Sequence, residues 1–250
     1  MSRRGAWAAA TFIVGSIAVG VVLRSAASPR PVQDRASISN GAVSITVDPA
    51  SRAFVVALAD GRQIFRAGSS VELGSERVDI AKYPIVATER STFTDDLGSG
   101  DQLVTKFSGQ AGKPDVERVL RVYHDSHFAS ITLRLINTSS GSVIVHSLRV
   151  IEVAAQPSAS RPQIDLGGAE SRDRVLADSF SEDRPTERIY DMGKAPDYKS
   201  FDDVSDKLSG IHMGVGSQLI FNRDSGNDLF LGALTSHRWL TIFHLATSSS

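Results

Sequence analysis

Four consecutive stretches in the middle of the chain, at 102–108, 116–123, 128–136 and 143–153, are strand-like and separated by short polar turns. In 128–136, Ala129, Ile131, Leu133 and Leu135 point one way while Ser130, Thr132 and Arg134 point the other. Apolar residues at every second position bury one face of a strand and leave the other to solvent. Sheets of such strands need a second layer to cover the apolar face, so the pattern predicts antiparallel sheets stacked as a sandwich. Asn137-Thr138-Ser139-Ser140-Gly141 reads as the turn joining the third stretch to the fourth. Beyond the N-terminal segment no stretch carries the spacing of an amphipathic helix. A parallel α/β sheet or barrel needs crossover helices, so that class is excluded.

The flanking regions extend the same reading. Val43, Ile45 and Val47 alternate with Ser44 and Thr46 until Asp48-Pro49 ends the strand. Stretches 53–58 and 63–65 flank Asp60-Gly61, a hairpin signal because both residues tolerate positive φ. Residues 71–73 and 85–87 are shorter candidates. Strand patterns return at 211–222, 229–234 and 239–245, with Arg223-Asp224-Ser225-Gly226-Asn227-Asp228 as a turn. Between 154 and 209 the alternation gives way to Pro157, Pro162, Pro185 and Pro196. That irregular stretch is either a solvated connection or a functional loop.

The N-terminus reads as one apolar helix with a targeting role. Ser2-Arg3-Arg4 precedes an uncharged run over 5–23, and Arg24 and Ser25-Ala26-Ala27-Ser28 follow. Two readings stand open: a signal peptide cut after Ala27, or a retained membrane anchor through 5–23 whose length suits the ~30 Å of bilayer hydrocarbon. Either places the remainder outside the cytoplasm. The expected division is 1–27 signal or anchor, 28–39 proline-bearing linker and 40–250 β-sandwich domain. A net charge of −1 over 250 residues offers no electrostatic footprint for nucleic acid. The chain has no cysteine, which excludes disulfides, thiolate zinc sites and cysteine nucleophiles.

Several residues invite a chemical reading. Tyr198 and Phe201, with Asp197, Asp202 and Asp203, are the candidate carbohydrate contact: aromatic faces stack on a sugar ring while carboxylates accept its hydroxyls. Asp95-Asp96 could pair carboxylates, but beside Gly98 and Gly100 they read as turn residues. His124-Asp125-Ser126-His127 lacks an evident third metal ligand. Asn222, Asp224, Gly226 and Asp228 alternate oxygens as a calcium loop does, without its distal glutamate, so a hairpin turn is the simpler account. Ser217 lacks the spacing of a nucleophile elbow, and Gly98-Ser99-Gly100 lacks the third glycine of a phosphate loop. Trp239 shares a strand face with Thr241, Phe243 and Leu245 and is expected in the core. Asn137-Thr138-Ser139 also matches a glycosylation acceptor. No metal or cofactor is expected.

The order of these segments resembles the N-terminal supersandwich of family 36 glycoside hydrolases, the α-galactosidases and their relatives. The resemblance is carried by Asp95-Asp96-Leu97-Gly98-Ser99-Gly100, by Leu120-Arg121-Val122-Tyr123 with His127-Phe128, and by Leu133-Arg134-Leu135-Ile136-Asn137-Thr138-Ser139. Phe221-Asn222-Arg223-Asp224-Ser225-Gly226 and 229–235 continue it. It implies a galactose-mutarotase-like antiparallel β-supersandwich. In that family a (β/α)8 barrel carrying two catalytic aspartates follows the sandwich. No segment here is expected to form one, so the implied role is a non-catalytic, structural, carbohydrate-associated module. The alternatives are an autonomous lectin-like carbohydrate-binding module and an envelope scaffold protein. The last strand stops close to the C-terminus, which gives the expectation of an incomplete sandwich that self-associates through an exposed sheet edge.

Overall fold

The computed structural model describes residues 35–153, 163–178, 187–194, 211–235 and 240–246. They are built from antiparallel β-sheet, and the chain divides into two compact units, Met1–Ser158 and Ala159–Ser250. The N-terminal apolar segment lies outside the described residues. Among those described, no helix is long and apolar enough to cross a membrane.

The first unit runs through β1 (Ala36–Ser39), β2 (Val43–Val47), β3 (Phe54–Leu58), β4 (Gln63–Leu73) and β5 (Glu76–Asp79). A 3-10 turn, Ile80–Lys82, leads into β6 (Ile85–Asp95), β7 (Gly98–Ser108), β8 (Asp115–Tyr123), β9 (Ala129–Ile136) and β10 (Val145–Glu152). One sheet has the order β1-β2-β3-β4-β10 with β5 paired to β4, and the other the order β6-β7-β8-β9. Residues 36–39, read from sequence as the end of the linker, pair with β2 from Ala36↔Val47 to Ser39↔Ser44. Their alternation of Ala36 and Ile38, both buried, with Ser37 and Ser39 is a strand pattern of only four residues.

The turns follow from side chains that satisfy backbone donors. Asn40 Oδ1 accepts from Ala42 N at 3.1 Å and Val43 N at 2.9 Å, closing the β1–β2 hairpin. Asp48 accepts from Ala50 N at 3.0 Å and starts the turn in which Arg52 takes φ 59°. The Arg52 guanidinium donates to the carbonyls of Ala81 and Tyr83. Tyr83 in turn donates its hydroxyl to Pro114 O at 2.7 Å.

Apolar side chains from both sheets meet in one core. Val71, Val78, Ile80 and Tyr83 join Phe107, Val116 and Leu133 in a single buried cluster. Ile38, Ile45, Phe54, Leu103, Leu120 and Val122 are buried as well. Each such side chain contributes about 1.5–3 kcal/mol on burial, and two layers closed over that core make a β-sandwich. The burial of β9 follows its sequence period in part: Leu133 is buried and Thr132 and Arg134 exposed, whereas Ser130, expected on the open face, is buried as well. Strand β6 is far longer than the apolar run at 85–87, reaching Asp95 in continuous register with β7. Apart from Phe93, its later residues are polar, and they are held by ladder hydrogen bonds and pairs such as Thr88 with Thr105, 3.1 Å between hydroxyls. Apolar periodicity carries no trace of that kind of strand.

The second unit contains β11 (Asp173–Asp178), β12 (Glu187–Asp191), β13 (Ile211–Val215), β14 (Ser217–Asn222), β15 (Asp228–Gly232) and β16 (Ile242–Ala246). One sheet has the order β12-β11-β14-β15, and β13 pairs with β16 in a second. Val175 and Ile220 are buried on one face of the larger sheet, beside Tyr190, whose ring lies 5.7 Å from that of His212 on β13. The stretch 211–222 is therefore two strands in two sheets rather than one. Gly216, at φ 79°, makes the break, donating to Thr241 O at 2.9 Å and accepting from Ala233 N at 2.8 Å. Strands β11 and β12 fall where the prolines and Asp-Arg pairs hid a strand signal. Trp239 lies outside the described residues.

Candidate functional site

The residues expected to contact a sugar, Tyr198, Phe201, Asp202 and Asp203, lie outside the described residues, as does Asp197. A polar and aromatic cluster sits on the outer face of the β6–β9 sheet. It gathers residues from three of the sequence motifs singled out above. Register places Ser91, Gln102 and Arg121 side by side, and Phe93, Gly100 and Tyr123 in the next row. Asp95 ends β6 and pairs with Gly98 across a two-residue turn.

Within the cluster each polar group has a defined partner. Asp95 Oδ2 accepts from Arg121 Nη1 at 2.9 Å and from the Tyr123 hydroxyl at 3.0 Å. Its Oδ1 accepts from Leu97 N at 3.0 Å, closing the turn. Arg121 Nε donates to Gln102 Oε1 at 3.0 Å, and Gln102 Nε2 donates to Ser91 Oγ at 3.1 Å. The guanidinium lies over Phe93, 4.4 Å from the ring centre. Tyr123 meets Phe93 edge-on at 5.0 Å and Phe128 at 5.1 Å. Burial raises the Tyr123 hydroxyl above its ordinary pKa; a hydrogen bond with Ser130 opposes this and one with Asp95 adds to it.

Gly100 makes the aromatic contact possible. A Cβ at that position would sit 1.9 Å from the Val122 carbonyl oxygen and 2.8 Å from the Phe93 ring. The glycine is required by close approach of neighbouring groups, which fits its place between two rings and not a phosphate loop. Asn40 Nδ2 donates to Tyr123 O at 2.8 Å and Ser126 O, tying the β8–β9 turn to the β1–β2 turn.

The other candidates separate in space and role. His124 Nε2 lies 3.5 Å from Asp101 Oδ2, and His127 is exposed. No group of three potential metal ligands occurs among the described residues. Asn222 is an internal turn clamp. Its Oδ1 accepts from Asp224 N at 2.9 Å and Ser225 N at 3.0 Å, while Nδ2 donates to Ala169 O at 3.0 Å and Asp173 Oδ1 at 2.6 Å. Asp224 pairs with Arg172 at 2.9 Å. Ser217 opens β14 opposite Gly232, in an exposed position.

The buried Arg118, Asp173 and His212 escaped the sequence reading. Arg118 is 0% exposed on the core face of β8, with Phe54 and Phe107 rings 5.0 and 5.2 Å from its Cζ. Its Nη2 donates to Arg52 O at 2.8 Å, while Nε and Nη1 have no partner. Burial pulls its pKa down to about 10. An arginine at an apolar position of a period-two strand, between Val116 and Leu120, is the signal that could have found it. Asp173 is buried beside Asn222, and that burial raises its carboxyl above the usual range despite the Asn222 hydrogen bond. His212 is fully buried with Nε2 2.8 Å from Lys194 O, and burial depresses its pKa against the pull of nearby carbonyls. On the surface, Arg66 at 2.8 Å and then Ser51 hold Asp48 well below the carboxylate range.

No family model matches the chain, and neither the curated proteins nor the solved structures contain a significant match to it.

Proposed function

We propose that this chain is a non-catalytic β-sandwich module, structural and carbohydrate-associated, of the galactose-mutarotase-like supersandwich kind that precedes the barrel of family 36 glycoside hydrolases. The observation that carries the non-catalytic reading is Asp95. Both its oxygens accept hydrogen bonds from neighbouring groups, an arginine and a phenol on one and a turn amide on the other. A general acid or nucleophile needs a free oxygen aimed at substrate. A carboxylate bound into a network with Arg121, Tyr123 and Gln102 instead stiffens the end of a sheet.

The tie to carbohydrate rests on the sequence resemblance, whose motifs supply Asp95, Arg121, Tyr123 and Phe128 of this one cluster. The uncharged run at 5–23, as signal or anchor, supports a site of action outside the cytoplasm.

The reading is tested at Asp95 and with glycans. Asp95→Asn should lower unfolding stability by about 1–3 kcal/mol, the cost of weakening charge-assisted hydrogen bonds and unbalancing a part-buried arginine. An unchanged unfolding midpoint would remove the structural role. Titration with galacto-oligosaccharides separates the two modes of carbohydrate association. Saturable binding by the chain alone indicates a lectin-like module, and its absence indicates a brace for a neighbouring domain.

A further inference from the structure

Asn40-Gly41 is the one Asn-Gly pair in the chain, and it forms the turn between β1 and β2. Gly41 lies at φ 86° with open space where a Cβ would be, so backbone conformation and not crowding requires glycine there. Asparagine is a thermolabile residue, and before glycine it is most open to losing its amide, because no side chain shields the backbone nitrogen that attacks. In the folded chain, however, the Asn40 amide is fully occupied. Its Oδ1 accepts from Ala42 N at 3.1 Å and Val43 N at 2.9 Å. Its Nδ2 donates to Tyr123 O at 2.8 Å and Ser126 O at 2.6 Å. These bonds use both donors and both acceptor positions of the group. Gly41 N, the attacking atom, itself donates to Ser39 Oγ at 3.2 Å. Attack on Cγ comes over the face of the amide, and turning that face toward Gly41 N breaks bonds at both of its ends.

We propose that Asn40 is a deamidation site held latent by the fold, and that its conversion irreversibly releases the β1–β2 turn from the β8–β9 turn. When the tie opens, Gly41 N bonds to Asn40 Cγ and the Cγ–Nδ2 bond breaks. Ammonia leaves, carrying the proton from Gly41 N. Water then opens the cyclic imide at either carbonyl and gives aspartate or isoaspartate. The net reaction takes up one water and releases one ammonia, with no oxidant or cofactor. Either product replaces the Nδ2 donor with a carboxylate oxygen. That oxygen would meet the carbonyls of Tyr123 and Ser126, acceptor against acceptor, so the tie does not re-form. Isoaspartate also lengthens the main chain inside a tight turn. Release starts at Tyr123, whose hydroxyl donates to Asp95 at 3.0 Å, and so reaches the cluster at the end of β6.

The test uses the full chain in a mild detergent that keeps the N-terminal apolar segment in solution. Peptide mapping after incubation at mildly alkaline pH reads the mass gain of amide-to-carboxyl exchange at Asn40 and separates its two products. The native chain should convert at least about tenfold more slowly than the chain unfolded in urea, because only the small open fraction of the turn reacts. Phe128→Ala removes a ring packed 5.1 Å from that of Tyr123 and leaves Asn40 and Gly41 untouched. It should speed conversion of the native chain severalfold and leave the rate in urea unchanged. Asn40→Asp, which makes one product directly, should lower the thermal midpoint by at least about 3 °C while the β-sheet circular dichroism is kept. Conversion as fast in the native chain as in urea overturns the proposal, since the fold then holds nothing back. So does an Asn40 that stays unconverted in urea. An Asn40→Asp chain as stable as the parent overturns it equally, because no release follows from the modification.

Discussion

Arg118 condenses the residue-scale argument. Its guanidinium sits between two phenylalanine rings with one backbone carbonyl as hydrogen-bond acceptor, and two of its nitrogens have no partner. Desolvating a cation costs several kcal/mol, and two aromatic faces with one carbonyl offset only part of that. The charged form is disfavoured by folding, so its folded pKa, about 10, lies below the ordinary arginine value. The penalty is therefore in force at every pH below about 10 and is relieved only as pH rises from there. Arg118→Met, which keeps length and removes charge, should leave urea stability unchanged or raise it by about 1–4 kcal/mol. A loss of more than about 2 kcal/mol would mean that the contact to Arg52 O outweighs desolvation. Gly100 gives the opposite case. Gly100→Val should abolish cooperative unfolding or cost more than about 3 kcal/mol, since its Cβ would enter the Val122 carbonyl. Thermal unfolding followed by circular dichroism measures either change.

At the scale of elements, what sequence discloses depends on how each strand is stabilised. Strands β2, β3 and β7 to β9 carry their period-two pattern because one face is buried against a core, and that pattern was readable. The second half of β6, whose one apolar residue is Phe93, is held largely by pairing, and β11 and β12 lie where prolines and charges mask them; neither leaves an alternating apolar trace. The division of 211–222 into β13 and β14 turned on the single positive φ of Gly216. Part of the cluster at Asp95 was legible as turn wording. That Arg121, Gln102 and Phe93 would join it required the register of three strands. Strand β13 carries a pH prediction of its own. His212 is buried, its Nε2 donates to Lys194 O, and its folded pKa is depressed below the ordinary 6.5. The folded state thus holds the neutral ring, and its full stability is present above pH 6.5. Stability is lost as pH falls below that value toward the folded pKa. His212→Gln, which retains a donor, should flatten this dependence in denaturation series from pH 7.5 to 5. A dependence identical to the parent would exclude His212 as its source.

For the whole molecule, the prediction of an all-β antiparallel sandwich came from alternation, from short polar turns and from the lack of helical spacing. The described residues are mostly antiparallel sheet, with a core of side chains from both sheets in the first unit. Function is less legible at this scale, because a sandwich is compatible with bracing, binding and catalysis alike. Three carboxylates among the described residues are tied into the structure. Asp95 is bound into the sheet, Asp173 is buried against Asn222, and Asp48 is held by Arg66 and Ser51. Each serves the architecture of the sheet around it. The most direct measurement is incubation of the purified chain with an aryl α-galactoside at high protein concentration, followed by assay of released phenol and galactose. The expected result is release no faster than in buffer; turnover of the glycoside by the chain alone would contradict it.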